Sequence, residues 1–148
     1  MTTQAKPADS TAVQSDSNGH LFITRDALLA VAALKHEDVI VPGLPAPVRV
    51  SEMTMTDRDA FDESCYKDAG GGKQKYSREN IRARLLVRSI VDADGNRIFT
   101  DADVAVVGKL GSGLTQPLVE AAMRINKLTA AELDEEKKDS ARGQPAAP

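Results

Sequence analysis

The sequence has few aromatic residues: no tryptophan, three phenylalanines and two tyrosines among its 148 residues. Aromatic side chains bury large areas and dominate the energetics of many cores. A core made mainly of alanine, valine, leucine and isoleucine is therefore expected to be modestly stable. Such a core is compatible with stabilisation by self-association or by a partner.

Other absences exclude several classes of protein. The single cysteine, Cys65, cannot form a disulfide within the chain, which fits a reducing cytoplasm. No apolar run approaches the roughly 20 residues that a membrane span needs, and the N-terminus lacks the basic start and apolar stretch of a signal peptide. The net charge of −3 gives no general attraction to nucleic acid or to an anionic membrane.

Both ends of the chain are rich in small and polar residues. The first 19 residues are mostly Thr, Gln, Ser, Asp and Ala, and the last seven read RGQPAAP. Low hydrophobicity cannot offset the entropy cost of ordering a chain, so residues 1–19 and 140–148 are predicted to be disordered tails. Residues 20–139 are predicted to form a single folded domain.

Helix starts are indicated where a Ser or Thr precedes an acidic residue by three positions, because the hydroxyl can accept an otherwise unpaired amide. Thr24 is the predicted cap of a helix through Leu34, as the apolar spacing of Leu28, Val31 and Ala32 indicates. Further helices are predicted from Thr56 to about Tyr66, from Thr100 to about Val107, and from Thr129 into the charged run 134–139. A weaker signal lies at residues 77–80, where Asn80 replaces the acid.

The clearest β-signal is a pair of β-branched runs, 39–41 and 48–50, around a Pro- and Gly-rich turn. A second turn is predicted at residues 92–96, with Gly95 at a positive φ. The sequence AGGGKQK at 69–75 predicts a flexible loop. The fold class is therefore α+β: a predominantly α-helical small domain with one β-hairpin.

Three motifs suggest chemistry but lack residues that the chemistry needs. The run 92–103 resembles a calcium-binding loop, yet Arg97 stands where glycine makes the sharp turn. The run 70–73 resembles a phosphate-binding loop, but Lys67 and Gln74 replace its first glycine and its hydroxyl residue. Cys65 follows Phe61 by one helical turn and is expected to face the core. We therefore expect no enzyme, no cofactor and no metal site.

Residues 73–88 form a basic segment with one acid, Glu79. Its cations are Lys73, Lys75, Arg78, Arg82, Arg84 and Arg88. Solvated faces are the favoured interpretation, an acidic protein surface is the first alternative, and phosphate binding is the second. Acidic flanks and the distribution around one helix argue against nucleic acid.

The longest amphipathic segment is predicted to be a helix over 114–128, with Thr115 as its cap and Pro117 in its first turn. Its apolar stripe contains Leu118, Ala121, Ala122, Ile125 and Leu128. Such a stripe is usually core. Its small alanines would also allow another helix to approach closely, which is the functional alternative.

The order of these pieces resembles the tail assembly chaperones of long-tailed bacteriophages and prophages. The resemblance runs from about Phe22 to Lys138. The matching stretches are 22–30, 39–42, 48–54, 56–61, 80–86, 91–99, 101–104 and 124–129. The chain departs at 43–47, where Gly-Leu-Pro-Ala-Pro replaces residues that resemble Trp-Gly-Gly in the family.

The resemblance implies a non-enzymatic assembly factor of the host bacterial cytoplasm. Such proteins keep the tape-measure protein soluble and help to bring major tail-tube subunits to it. If so, Leu118, Ala122 and Ile125 are expected to contact the partner, with Arg82 and Arg84 facing its acidic groups. The alternatives are a structural minor tail or connector subunit, and a nucleic-acid-binding regulator.

Overall fold

The computed structural model describes residues 12–31 and 33–133. The chain divides into two compact units, residues 1–33 and residues 34–148. The predicted boundary at residue 19 does not coincide with this division. Residue 19 lies within a hairpin formed by residues 13–23. Val13–Ser15, in the predicted tail, is a strand.

The N-terminal unit consists of a hairpin followed by a short helix. Strand β1 (Val13–Ser15) pairs antiparallel with strand β2 (Leu21–Ile23), so that Val13 lies opposite Ile23. Helix α1 (Arg25–Ala30) begins where Thr24 accepts the amide of Ala27, as predicted. The predicted extension to Leu34 is wrong, since α1 ends at Ala30.

The second unit contains the predicted hairpin as part of a three-stranded sheet. Strand β3 (His36–Val39) pairs with β4 (Val48–Ser51), which also pairs with β7 (Ile90–Val91). The first strand starts three residues earlier and ends two residues earlier than predicted. Arg49 lies opposite Asp38 and donates to both of its carboxylate oxygens, at 2.8 and 3.1 Å, and these hydrogen bonds lower the pKa of Asp38.

Helix α2 (Met55–Ser64) starts earlier than predicted, because Thr54 rather than Thr56 accepts the amide of Asp57. The helix ends before Tyr66, which is already in the next strand. Strands β5 (Tyr66–Gly70) and β6 (Lys73–Tyr76) then form a hairpin. The prediction of a flexible loop at 69–75 is therefore wrong: Gly71 and Gly72 both adopt the positive φ that a tight hairpin turn requires.

Up to residue 133, where the described part of the unit ends, four further helical segments follow: α3 (Ile81–Ser89), a 3₁₀ turn (Asp101–Asp103) leading into α4 (Val104–Val107), α5 (Ser112–Ile125) and α6 (Ala130–Leu133). The capping boxes at Thr100 and Thr129 are confirmed. The predicted continuation of the last helix over 134–139 lies outside the described residues.

Helix α5 begins two residues before the predicted start. Gly111 occupies the cap position, and the Thr115 hydroxyl instead donates to backbone carbonyls one turn back, at Gly111 and Ser112. Pro117 therefore lies inside the helix rather than in its first turn. Because proline has no amide hydrogen, the carbonyl of Gly113 lacks its usual helical partner there.

The core of the second unit lies between α3, α5 and the three-stranded sheet. Leu85, Leu86 and Val87 of α3 are almost fully buried, as is Phe61 of α2. The α+β class is confirmed. The described residues form three small sheets rather than the single predicted hairpin.

Candidate protein-binding surfaces

The predicted apolar stripe on α5 is part of the core. Leu118 and Ala122 are 3% and 0% exposed, and Ile125 is half-buried against the same cluster. Helix α5 contacts β3, β4 and α3, so its small-residue face already has neighbours. The structure thus removes Leu118 and Ala122 from the surface that a partner could reach.

Arg84 is used within the fold. Its guanidinium donates to the carbonyl oxygens of Ser64, Ser77 and Glu79, at 2.8 Å for Ser77. These bonds join the end of α2 to the loop that precedes α3. A guanidinium that is committed to three carbonyls is poorly placed to bind an acidic partner, unlike Arg82, which is exposed.

Arg88 is also engaged. It donates to Asp57 of α2 at 3.1 Å and to Asp101 of the 3₁₀ turn at 2.6 Å, and its side chain is 11% exposed. The basic segment therefore separates into two parts. Arg84 and Arg88 hold helices together, whereas four cations face solvent: Lys73, Lys75, Arg78 and Arg82.

Lys73 and Lys75 belong to a cationic face on the β5–β6 hairpin. Alternating side chains of a strand share a face, and Lys75 pairs with Lys67 across the hairpin. We define the cationic face as Lys67, Lys73, Lys75 and Arg78. A depression of about 420 Å³ lies beside it, between β5 and the residues that follow β6, and Asp68 also lines it.

Lys67 carries an ion pair with Glu79. The hydrogen bond from the Lys67 ammonium is the main cause of a lowered pKa for the Glu79 carboxyl. Glu79 is therefore ionised at neutral pH and partly offsets the charge of Lys67. Lys73 and Lys75 add two further exposed positive charges to this face.

The N-terminal unit exposes a high proportion of its large apolar side chains. No side chain within the described range 12–31 is buried. Phe22 is 58% exposed and Leu21 is 68% exposed. The other exposed large apolar residues of the unit are Val13, Ile23, Leu28, Leu29 and Val31. The sequence prediction assigns residues 20–139 to one folded domain and so does not separate this surface, although the apolar content of 21–31 is a signal for it.

The acidic turn at 92–96 has the geometry predicted for a plain turn. Asp92 Oδ1 accepts the amides of Asp94 and Asn96, at 2.8 and 3.0 Å, and Gly95 has a φ of 87°. The Asp92 carboxylate therefore already accepts hydrogen bonds from nearby backbone amides. Among the described residues, no group of three or more His, Cys, Asp or Glu side chains is arranged to hold a metal ion.

The other two motifs also have local structural roles. The glycines at 70–72 form the tip of the β5–β6 hairpin rather than a strand-to-helix loop. Cys65 is 4% exposed, as predicted, and its thiol donates to the Phe61 carbonyl oxygen at 3.4 Å. A cleft of about 370 Å³ lies beside it, and its described lining includes Arg58 and Glu132 but no histidine.

Comparisons with known proteins found no matching family model, no similar curated protein and no similar solved structure. In the part of the chain that the structure describes, no helix is both long and apolar enough to cross a bilayer.

Proposed function

We propose that this chain is a tail assembly chaperone of a long-tailed bacteriophage. In this proposal it is a non-enzymatic binding protein of the host bacterial cytoplasm. It covers apolar stripes of the tape-measure protein and helps to recruit major tail-tube subunits. The order of sequence motifs from Phe22 onwards supports the proposal, and so do the exposed apolar side chains of the N-terminal unit, most of which lie in 21–31.

The exposed apolar side chains of the N-terminal unit carry the proposal. A two-stranded hairpin and a helix of six residues are each marginal in water. Here neither has a buried side chain to stabilise it, within residues 12–31. A partner that covers Phe22, Leu28 and Leu29 would remove apolar area from water and would order the unit at the same time.

The arrangement of this unit suits an apolar polypeptide partner. Strand register places Val13 and Ile23 opposite each other, so they share one face of the hairpin with Leu21, while Phe22 points to the other face. Apolar groups are thus available on both faces. Exposed apolar patches on soluble proteins often mark sites of interaction with other proteins.

The test is co-expression of this chain with the long tape-measure product of the same phage. We expect the tape-measure protein to be soluble with the wild-type chain and to aggregate without it. A surface variant, Phe22→Ser with Leu29→Ser, should lose this effect. A matched control, Ile40→Ser with Met55→Ser, changes residues that are 81% and 85% exposed in the second unit and should keep it.

Folding is checked separately by urea unfolding of each variant. The four changed side chains are exposed, so the free energy of unfolding should stay within about 0.5 kcal/mol of wild type. If the tape-measure protein aggregates as much in the presence of the wild-type chain as in its absence, the proposed function is wrong. Recovery of this chain as a stoichiometric component of purified particles would instead identify a structural tail subunit.

A further inference from the structure

The β5–β6 hairpin carries charge that its own stability does not require. Lys67 and Lys75 are directly opposite each other, and like charges at such positions destabilise a sheet. Lys73 lies two residues from Lys75 on the same face. Glu79 forms an ion pair with Lys67, which offsets part of the repulsion at that end of the face.

The inner face of the hairpin already holds it to the core. Tyr76 is buried, its hydroxyl donates to the Leu133 carbonyl oxygen at 2.8 Å, and the Tyr66 ring meets it edge-on at 5.6 Å. The lysines lie on the opposite face, which is exposed. The packed inner face therefore fixes the backbone positions of the lysines.

We propose that the cationic face binds an acidic, carboxylate-bearing segment of a protein partner. The adjacent depression of about 420 Å³ is lined by Lys67, Asp68, Lys75 and Arg78, among others. Carboxylates that enter it would meet the ammonium groups of Lys67 and Lys75, and Lys73 lies farther along the same face of the hairpin. This inference goes beyond the proposed function, because it concerns a different surface and does not require a tape-measure partner.

Three observations favour a protein over a nucleic acid. Asp68 lines the same depression, with Oδ1 accepting the Gly70 amide, and Glu79 adds a second carboxylate nearby. Tyr76 is buried and its ring packs edge-on against Tyr66, so it offers little face for stacking bases. Four cations are also fewer than the roughly 6–10 phosphate contacts of strong nucleic-acid binders.

The test measures binding of the full chain to a fluorescein-labelled polyglutamate peptide by fluorescence anisotropy. A labelled single-stranded DNA and a labelled DNA duplex serve as comparison probes. We expect the peptide to bind at low salt, to bind more weakly as salt rises, and to bind more tightly than either DNA. The variant Lys73→Gln with Lys75→Gln should weaken peptide binding roughly tenfold, as for loss of two exposed ion pairs.

A matched control removes two exposed lysines elsewhere, Lys35→Gln with Lys109→Gln, and should bind the peptide as the wild type does. An equal loss in this control would show nonspecific attraction and would overturn the inference. So would the absence of peptide binding at low salt, or tighter binding to DNA. The Phe22→Ser with Leu29→Ser variant should bind the peptide normally, so failure here is distinguishable from failure of the proposed function.

Discussion

Ser89 is a polar residue at a fully buried position. It is the last residue of α3 and is 0% exposed, between the buried Val87 and Ile90. Its hydroxyl has no hydrogen-bond partner among the described residues. A buried hydroxyl that gives up water without gaining a protein partner costs free energy.

We predict that Ser89→Ala raises the free energy of unfolding by about 1 kcal/mol, because it removes a desolvated hydroxyl and leaves little cavity. Urea unfolding monitored by circular dichroism measures the change. Ala83→Ser is the reverse control, since it places a new hydroxyl at a buried position of the same helix and should destabilise the protein. A loss of stability in Ser89→Ala would mean that the hydroxyl has a partner, such as a bound water molecule.

Local signals predicted single residues well where the cause was local. Gly95 adopts the positive φ expected in its turn, and Cys65 faces the core one turn after Phe61. Thr56 was the exception. Thr54 has the same side-chain chemistry and sits two residues earlier, and the path of the chain out of β4 gives Thr54 the cap.

At the scale of elements, the basic segment shows what sequence spacing leaves open. Arg82 and Arg88 occur in the same helix with similar local sequence. Arg82 is exposed, whereas Arg88 lies between Asp57 and Asp101, which come from two other elements. The partners are distant in sequence, so only the tertiary arrangement separates a structural cation from a solvated one.

We predict that Arg88→Met lowers the free energy of unfolding by about 2 kcal/mol, because hydrogen bonds to charged groups are worth about 1.5–3 kcal/mol and Asp57 loses its closest cation. Arg82→Met should change it by less than about 0.5 kcal/mol. Thermal or urea unfolding of both variants gives the comparison. Equal effects of the two substitutions would show that the Asp57–Arg88–Asp101 contacts contribute little.

At the scale of the whole molecule, the two units differ in how much they bury. The second unit has a continuous apolar core that includes Val50, Phe61 and Leu85. The described part of the N-terminal unit has no buried side chain. Free energies of local opening follow buried contacts, so the two units should differ greatly in their protection from solvent.

We predict that amide hydrogens of the β1–β2 hairpin exchange orders of magnitude faster than those of Leu85, Leu86 and Val87 in α3. Hydrogen exchange followed by mass spectrometry or by NMR measures this on the full chain. Binding of a polypeptide that covers Phe22 and Leu28 should slow exchange in the hairpin selectively. Protection of the free hairpin equal to that of α3 would contradict the interpretation that its apolar face is uncovered.

The sequence by itself determined the α+β class, the hairpin around 42–47, two capping boxes and the turn at Gly95, because each depends on neighbours within a few residues. Tertiary structure decided the rest. It buried Leu118 and Ala122, since an apolar stripe does not say whether its cover is the chain's own sheet or another protein. It also turned the glycine-rich 69–75 into a hairpin, because Tyr66 and Tyr76 anchor both strands to a core that local composition cannot reveal.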